Sequence, residues 1–560
     1  LRHLVVEQAY PEYNAVDQAV WRFVLTQIYD TLRHTAHPAY ENGVSETGIS
    51  TEHIPHIEEM DRCLRRYGWG AVCVDGFIPP RAFVEFQSLG ILPIAADIRS
   101  KGHLTYTPAP DIIHEAAGHA PILPDARYAA FLRRIGAVGA TAFGSREDTQ
   151  VYKAIYALSE VKERPGATED EIAGAERAFN EATEAATRVT EATRMSRLYW
   201  WTAEYGLVGT PEDYKLFGAG LLSSLWESHA CHDASVRKLP LTPACTDIAY
   251  DITRAQPQLF VARDFEHLGE VLSDVENTLC VAHGGEAALR EAALSGEVAT
   301  LLVGEANESC LVGLIGTVAG FVEAAPLRIR LEGPVGITVR GQLIPRGRPA
   351  SLLDSAELIL GHAEPAWRIR PHHVGDDVAL ELAGGARLSG RVSLVAYDED
   401  SDVSPARTLL LGLRDARLGD KALPGLVLFT TGDVVSARAG AVDPAYYPPS
   451  KYSSVRVPGP RAFGEQERAL IALHTEAGEL FRSEWGSRAE RIVTHVLDEL
   501  TRNHPDEWLL RYHLLEALLR AGQRAETAAE LRGELERMEV RFAYREPIAL
   551  GLRRLARITT

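Results

Sequence analysis

Several features that would assign this chain to a common class are missing. Its six cysteines, Cys63, Cys73, Cys231, Cys245, Cys280 and Cys310, form no C-x-x-C pair, which excludes a disulfide scaffold or zinc ribbon and fits a reducing compartment. No apolar run approaches the length of a membrane span. Basic residues number 58 against 77 acidic ones, and a net charge of -19 leaves no basic face for a phosphate backbone. No internal repeat organises the chain. No membrane and no nucleic-acid partner is therefore expected, and the cytoplasm is the expected location. The chain opens at Leu1 without an initiator Met, which leaves room for a processed leader.

What is present describes a soluble globular protein, with 46% apolar and 24% charged residues. A length of 560 residues exceeds one core and suggests roughly three to four domains, of which we expect three. In the first part, Val20, Trp21, Val24, Leu25 and Ile28 recur at helical spacing, as do Tyr128, Phe131, Leu132 and Ile135. The polar, alanine-rich stretch between Gly136 and Tyr199, broken at Pro165-Gly166, reads as a helical hairpin. Beyond about residue 285, β-prone runs such as Val298–Val303, Gly336–Val339 and Gly390–Val395 alternate with turns, which predicts a barrel or sandwich. The proline-rich stretch Asp443–Pro460 reads as a linker. Helical periodicity then returns in Ile492, Val493, Val496, Leu497 and Leu500, and in Leu510, Leu514 and Leu518.

The chemistry concentrates in Pro110-Asp111-Ile112-Ile113-His114-Glu115-Ala116-Ala117-Gly118-His119. Two histidines here, with Glu204 of the later Tyr199-Trp200-Trp201-Thr202-Ala203-Glu204 run, make a candidate facial triad. Such a triad fills one side of an Fe(II) ion and leaves the other side open to dioxygen and a reductant. Zinc peptidases instead place their histidines at i and i+4. Five steps of roughly 100° separate two side chains by about 140°, too far for one ion in a regular helix. His114 is therefore expected at or just before a helix start. His229, Cys231 and His232, and the pair His372-His373, read as ordinary polar residues. A zinc hydrolase is disfavoured by the spacing, and a non-catalytic metal- or amino-acid-binding protein is the alternative of a different class.

Gly76-Phe77-Ile78-Pro79-Pro80-Arg81, Arg99, Tyr106-Thr107-Pro108, the two-histidine segment, Glu204 and Phe217–Ser224 occur in an order that resembles the pterin-dependent aromatic amino acid hydroxylases, especially their phenylalanine branch. The likeness runs from roughly residue 10 to 275. It implies a mainly α catalytic domain with the aromatic amino acid hydroxylase fold, followed by a β-rich domain and an α-helical C-terminal module. The expected boundaries are 1–280 for the catalytic domain with a helical insertion at about 140–195, 285–442 for the β-rich domain, 443–462 for the linker and 463–560 for the helical module.

By the same resemblance, His114, His119 and Glu204 hold Fe(2+). Arg99 takes the substrate carboxylate with a bidentate fork, Thr107 supports the amino acid's backbone groups, and Ser223 hydrogen-bonds the first iron histidine. Pro110 and Trp200 form the aromatic slot, with Tyr106, Phe217 and Val261 nearby. A tetrahydropterin stacks on Phe83, with Gly76, Ile78, Pro80 and Glu115 around it. Pro80 stands where a serine is usual in the animal enzymes and supplies no hydroxyl. Glu227 matches a position near the site.

Trp200 and Val261 favour L-phenylalanine as the small-molecule substrate, with O2 as co-substrate. The implied activity is hydroxylation to tyrosine through an Fe(IV)-oxo species. Hydroxylation of tryptophan or tyrosine, or at another ring position, is the alternative. The likeness begins near the N-terminus, so no regulatory domain is expected ahead of it. No animal-type tetramerisation segment is recognisable, which leaves the oligomeric state open.

Overall fold

A computed structural model of the chain describes residues 1–102, 104, 110–163, 167–252, 255–305, 311–344, 352–364, 366–369, 371–398, 407–447, 461, 463–482, 484–541 and 545–558. The first long helix, Ala15–Thr35, begins at Asn14, whose side chain accepts from Val16 N and Asp17 N while Asp17 reaches back to Asn14 N. This reciprocal cap satisfies donors that the first turn would leave open. The helix is buried almost all round, polar Arg22, Thr26 and Gln27 included. Burial on every side means packing on two sides, and both partners are visible. Trp21, Val24, Leu25, Ile28 and Leu32 belong to the core of the N-terminal half. Phe23 meets the rings of Trp508 and Tyr512 edge-on at 5.2 and 4.8 Å.

Two small sheets support the site region. Gly70–Val74 and Ile91–Ala95 pair in parallel. Tyr214–Leu216, Leu207–Gly209, Gln258–Ala262 and Arg237–Pro240 make a four-stranded sheet in that order. The expected stripe of Tyr128, Phe131, Leu132 and Ile135 lies on the helix Ala126–Gly139, and all four are buried. The stretch after it forms the anticipated hairpin, Arg146–Glu163 against Glu169–Ala185, with Lys162 and Glu176 paired at 2.8 Å. Its Pro165-Gly166 break lies outside the described residues.

The helix Gly285–Ser295 then packs on a large sheet. The strand order is Asp377–Glu381, Arg387–Asp398, Arg407–Leu418, Val427–Thr430, Leu353–Leu360, Leu327–Val339, Val312–Val322, Val298–Gly304 and Asp433–Ala439. Among the described residues this path does not close on itself, so a closed barrel is not formed. Both faces are covered, because side chains alternate along a strand. Leu358 and Leu360 enter one cluster, whereas Ile359 enters the other.

Of the proline-rich stretch, Pro444–Tyr446 is a turn of 3-10 helix with Tyr446 packed against Ile315 and Leu343. Residues 448–460 and 462 lie outside the described residues. The periodic tail forms Glu465–Gly478, Ser487–Asn503, Trp508–Ala521, Ala525–Arg541 and Arg545–Ile558. These helices share a continuous core with the N-terminal half through Ala15–Thr35. Among the described residues no helix is long and apolar enough to cross a membrane.

Candidate active site

His114 and His119 lie inside one helical segment, Ile113–His119, which is π-helical. His114 lies in its first turn, at the helix start as expected, with its N–H donating to the Asp111 side chain at 3.0 Å; the π-helical winding itself was not anticipated. A π-turn is wider than an α-turn and its hydrogen bonds run from i to i+5, so residues five apart come onto one side. The imidazoles sit with centroids 5.3 Å apart and planes at 89°. Glu204 ends a second π-helical segment, Trp200–Glu204. Its two carboxylate oxygens lie 3.2 Å from His114 Nε2 and 3.2 Å from His119 Nε2.

These donors suit a divalent iron. One ligand atom from each residue lies within 4.8 Å of the others, and no other such group occurs among the described residues. His119 is fully buried, and neither ring nitrogen has a hydrogen-bond partner. A buried polar atom without a partner is costly unless something else engages it. Ser223 supplies the complementary argument at His114. Its hydroxyl donates to the Ala219 carbonyl at 2.7 Å, so it can only accept from His114 Nδ1, 3.0 Å away. That hydrogen bond assigns the proton to Nδ1 and leaves the Nε2 lone pair for a metal. Burial would raise the pKa of Glu204, but the two imidazoles outweigh it and hold the carboxyl well below its usual range.

The triad opens onto a cavity of about 660 Å³. Arg99, Pro110, Trp200 and Ser223 line it, as do Gly76, Ile78, Pro80, Phe83 and Glu115. Arg99 presents Nε and Nη2 to the two oxygens of Asp111, each at 2.8 Å, while Nη1 donates to the Ser223 carbonyl at 3.3 Å. Asp111 also accepts from His114 N at 3.0 Å. Burial works against the ionised Asp111, yet the adjoining Arg99 holds its carboxyl below the ordinary range. Phe83 stands 6.1 Å from the His119 ring and edge-on to Tyr199 at 6.0 Å. Burial, helped by the neighbouring Glu204 and Asp111 and opposed by His119 at 3.9 Å, pushes the Glu115 carboxyl up to about 8.

Phe217 and Val261 are not in the cavity wall. Phe217 is 1% exposed and packs between Tyr128 and Phe265, and Val261 is held in the strand Gln258–Ala262 at 3% exposure. Tyr106 and Thr107 lie outside the described residues. His229 and His232 engage Thr31 and Tyr214, and His372 meets the Trp367 carbonyl, as ordinary polar side chains do.

Three features escaped the sequence reading. Asp111, taken there as a helix-start residue, is the partner of Arg99. Tyr250 stacks on Trp200 at 4.2 Å and 8°, and no motif surrounds it to signal this. Finally, Thr149, Tyr152 and Ser159 of the hairpin helix line the cavity, and Tyr152 donates to the Phe77 carbonyl at 3.0 Å. Their spacing of three and seven residues is a helical stripe, and that was the available signal.

The chain's likeness to known proteins is confined to its first half. The family described as biopterin-dependent aromatic amino acid hydroxylase matches residues 7–159 and 183–281, which leaves 160–182 of the hairpin unmatched. The first half of the chain is thus similar to the biopterin-dependent aromatic amino acid hydroxylases. The phenylalanine-4-hydroxylase of Pseudomonas aeruginosa is 27% identical over 281 residues, covering 50% of this chain and 88% of that one. The enzyme of the same name from Mesorhizobium japonicum is 27% identical over 277 residues, covering 48% and 84%. The crystal structure of Chromobacterium violaceum phenylalanine hydroxylase, with bound iron(III) and 7,8-dihydrobiopterin, superposes with a TM-score of 0.39 at 22% identity, over 50% of this chain and 86% of that one.

Proposed function

We propose that this protein hydroxylates the aromatic ring of phenylalanine, giving tyrosine, with Fe(II), a tetrahydropterin and O2. The observation that carries the reading is the His114, His119 and Glu204 triad, with the His114 proton assigned by Ser223, facing a cavity whose wall includes Arg99 and Trp200. Phenylalanine-4-hydroxylases recur among the relatives of the first half, which supports the choice of substrate.

Iron and reduced pterin together supply oxygen activation and the two electrons it requires. The chain's own residues do the rest. Arg99 takes the substrate carboxylate while Asp111 holds its guanidinium in place. Trp200, backed by the parallel ring of Tyr250, and Pro110 hold the substrate ring flat against the open side of the triad. Phe83 offers a face for the pterin ring, and Gly76, Ile78 and Pro80 contribute main-chain and apolar contacts. Pro80 has no hydroxyl to donate, so polar recognition of the pterin falls to backbone groups and Glu115. The helix Arg146–Glu163 covers this end of the cavity and excludes water from it.

The catalytic unit is residues 1–280, and the regions 285–442 and 463–560 are additions to it. The cytoplasm, where thiols stay reduced, suits the free Cys63, Cys73, Cys231, Cys245 and Cys280. The test is to incubate iron-loaded protein with phenylalanine, tetrahydropterin and O2 and look for tyrosine by mass, with tryptophan and tyrosine in parallel. No hydroxylated product from phenylalanine would refute the proposal.

A further inference from the structure

We infer that Glu507, in the C-terminal helices, is a positioning residue for the amino-acid substrate, because through Lys101 it holds the short segment that carries Arg99. The inference rests on the reading of Arg99 as the carboxylate-binding group.

Residues 97–102 leave the strand Ile91–Ala95 and cross to the triad. Their near end is closed by Ile112 N donating to the Asp97 carbonyl at 2.8 Å, and Arg99 is clasped by Asp111. Two residues further on, the Lys101 ammonium pairs with Glu507, 406 positions away in sequence. Glu507 cannot follow a loose partner. Its side chain is 3% exposed, accepts from Leu510 N at 3.3 Å as the cap of Trp508–Ala521, and lies 3.5 Å from His474 Nε2 on the helix Glu465–Gly478.

Its own carbonyl accepts from Arg511 at 2.7 Å. The next residue, Trp508, packs edge-on to Phe23, so the helix start is seated on the N-terminal half. Lysine is the flexible member and the carboxylate is the fixed one. The fixed end therefore sets where the segment sits. From it, the path runs to Lys101, along the backbone through Ser100 to Arg99, and by way of Asp111 to His114 N.

The experiment compares wild type with Glu507→Gln, Lys101→Met and the double variant. Glutamine keeps the size and the capping oxygen and removes the charge. The KM for phenylalanine should rise about fivefold in each single variant, and no further in the double, while kcat and the KM for tetrahydropterin stay within about twofold. Lys101→Arg should restore the wild-type KM. As a stability control, Arg554→Met breaks contacts to Asp30 and Glu516 elsewhere on the same interface and should lower Tm without moving the KM.

Amide hydrogen exchange of residues 97–102 should quicken about fivefold in Glu507→Gln, a readout independent of turnover. An unchanged KM in active single variants, or both KM values and kcat failing together with Tm, would overturn the positioning role. If wild type itself fails to hydroxylate any aromatic amino acid, the functional reading falls first and takes this role with it.

Discussion

Glu115 and Glu516 are both carboxylates buried in this chain, one beside the metal-binding imidazoles and the other between the first helix and the C-terminal helices. Glu516 is met by Arg22 at 2.7 Å, Arg554 at 2.8 Å and Arg520 at 2.9 Å. Burial opposes its charge, yet these guanidiniums bring its pKa down to about 2. Glu115 has no arginine or lysine, and its Oε2 has no hydrogen-bond partner. A buried charge that the protein has fully paired is part of the scaffold, whereas a buried polar group left open marks where something outside the chain belongs. His119, whose Nδ1 has no hydrogen-bond partner and whose Nε2 faces only carboxylates, belongs to the same open site.

The largest effect should come from the open site. Glu204→Ala should abolish stoichiometric iron and cut turnover by at least about a hundredfold, with circular dichroism unchanged. Full iron by elemental analysis in that variant would break the comparison from its functional side. From the structural side, Glu516→Leu removes the carboxylate that three arginines share, leaving Arg22 only Glu52 and Arg554 only Asp30 as acidic partners among the described residues, and should cost about 3 kcal/mol in denaturant unfolding. The matched change Glu115→Leu should cost less than about 1 kcal/mol, because no arginine or lysine loses a partner. Equal losses from the two would show that pairing does not distinguish them.

Ser223→Ala should weaken iron binding by about ten- to a hundredfold, since His114 then loses the acceptor that keeps its proton on Nδ1. Metal titration reads this directly, and rescue by Ser223→Thr would sharpen it. A pH dependence is expected at Glu227. Burial pushes its carboxyl from 4.5 up to about 7, against the hydrogen bond from the Tyr205 hydroxyl at 3.3 Å. A raised carboxyl contributes stability that is complete below pH 4.5 and is lost as pH rises through about 7. Relative to Glu227→Gln, wild type should therefore lose up to roughly 3 kcal/mol across that window, seen as a falling Tm. A pH-independent difference would remove Glu227 from the titrating groups.

The metal ligands were legible in the sequence because imidazole and carboxylate are scarce chemistries and their order along the chain is distinctive. The hairpin, the stripe on Ala126–Gly139 and the periodic C-terminal helices were legible because apolar spacing reports local geometry. The spacing argument placed His114 at the helix start but assumed 3.6 residues per turn, so it did not foresee the wider π-winding that brings His119 round to the same side. Phe217 and Val261 matched family positions, but type and order do not say whether a side chain reaches a cavity or the core behind it. Asp111, Tyr250 and Glu507 were not legible as partners. Each acts through a contact whose other half is defined only by how elements pack.

By itself, then, the sequence determined the elements and the chemistry available to them: two imidazoles and a carboxylate for iron, an arginine for an anion, and helical and β-prone stretches in a stated order. Only the tertiary structure decided which buried groups are paired and which stay open. Periodicity and residue type are properties of neighbouring positions. Pairing Lys101 with Glu507 or Arg22 with Glu516 requires hundreds of intervening residues to be folded first.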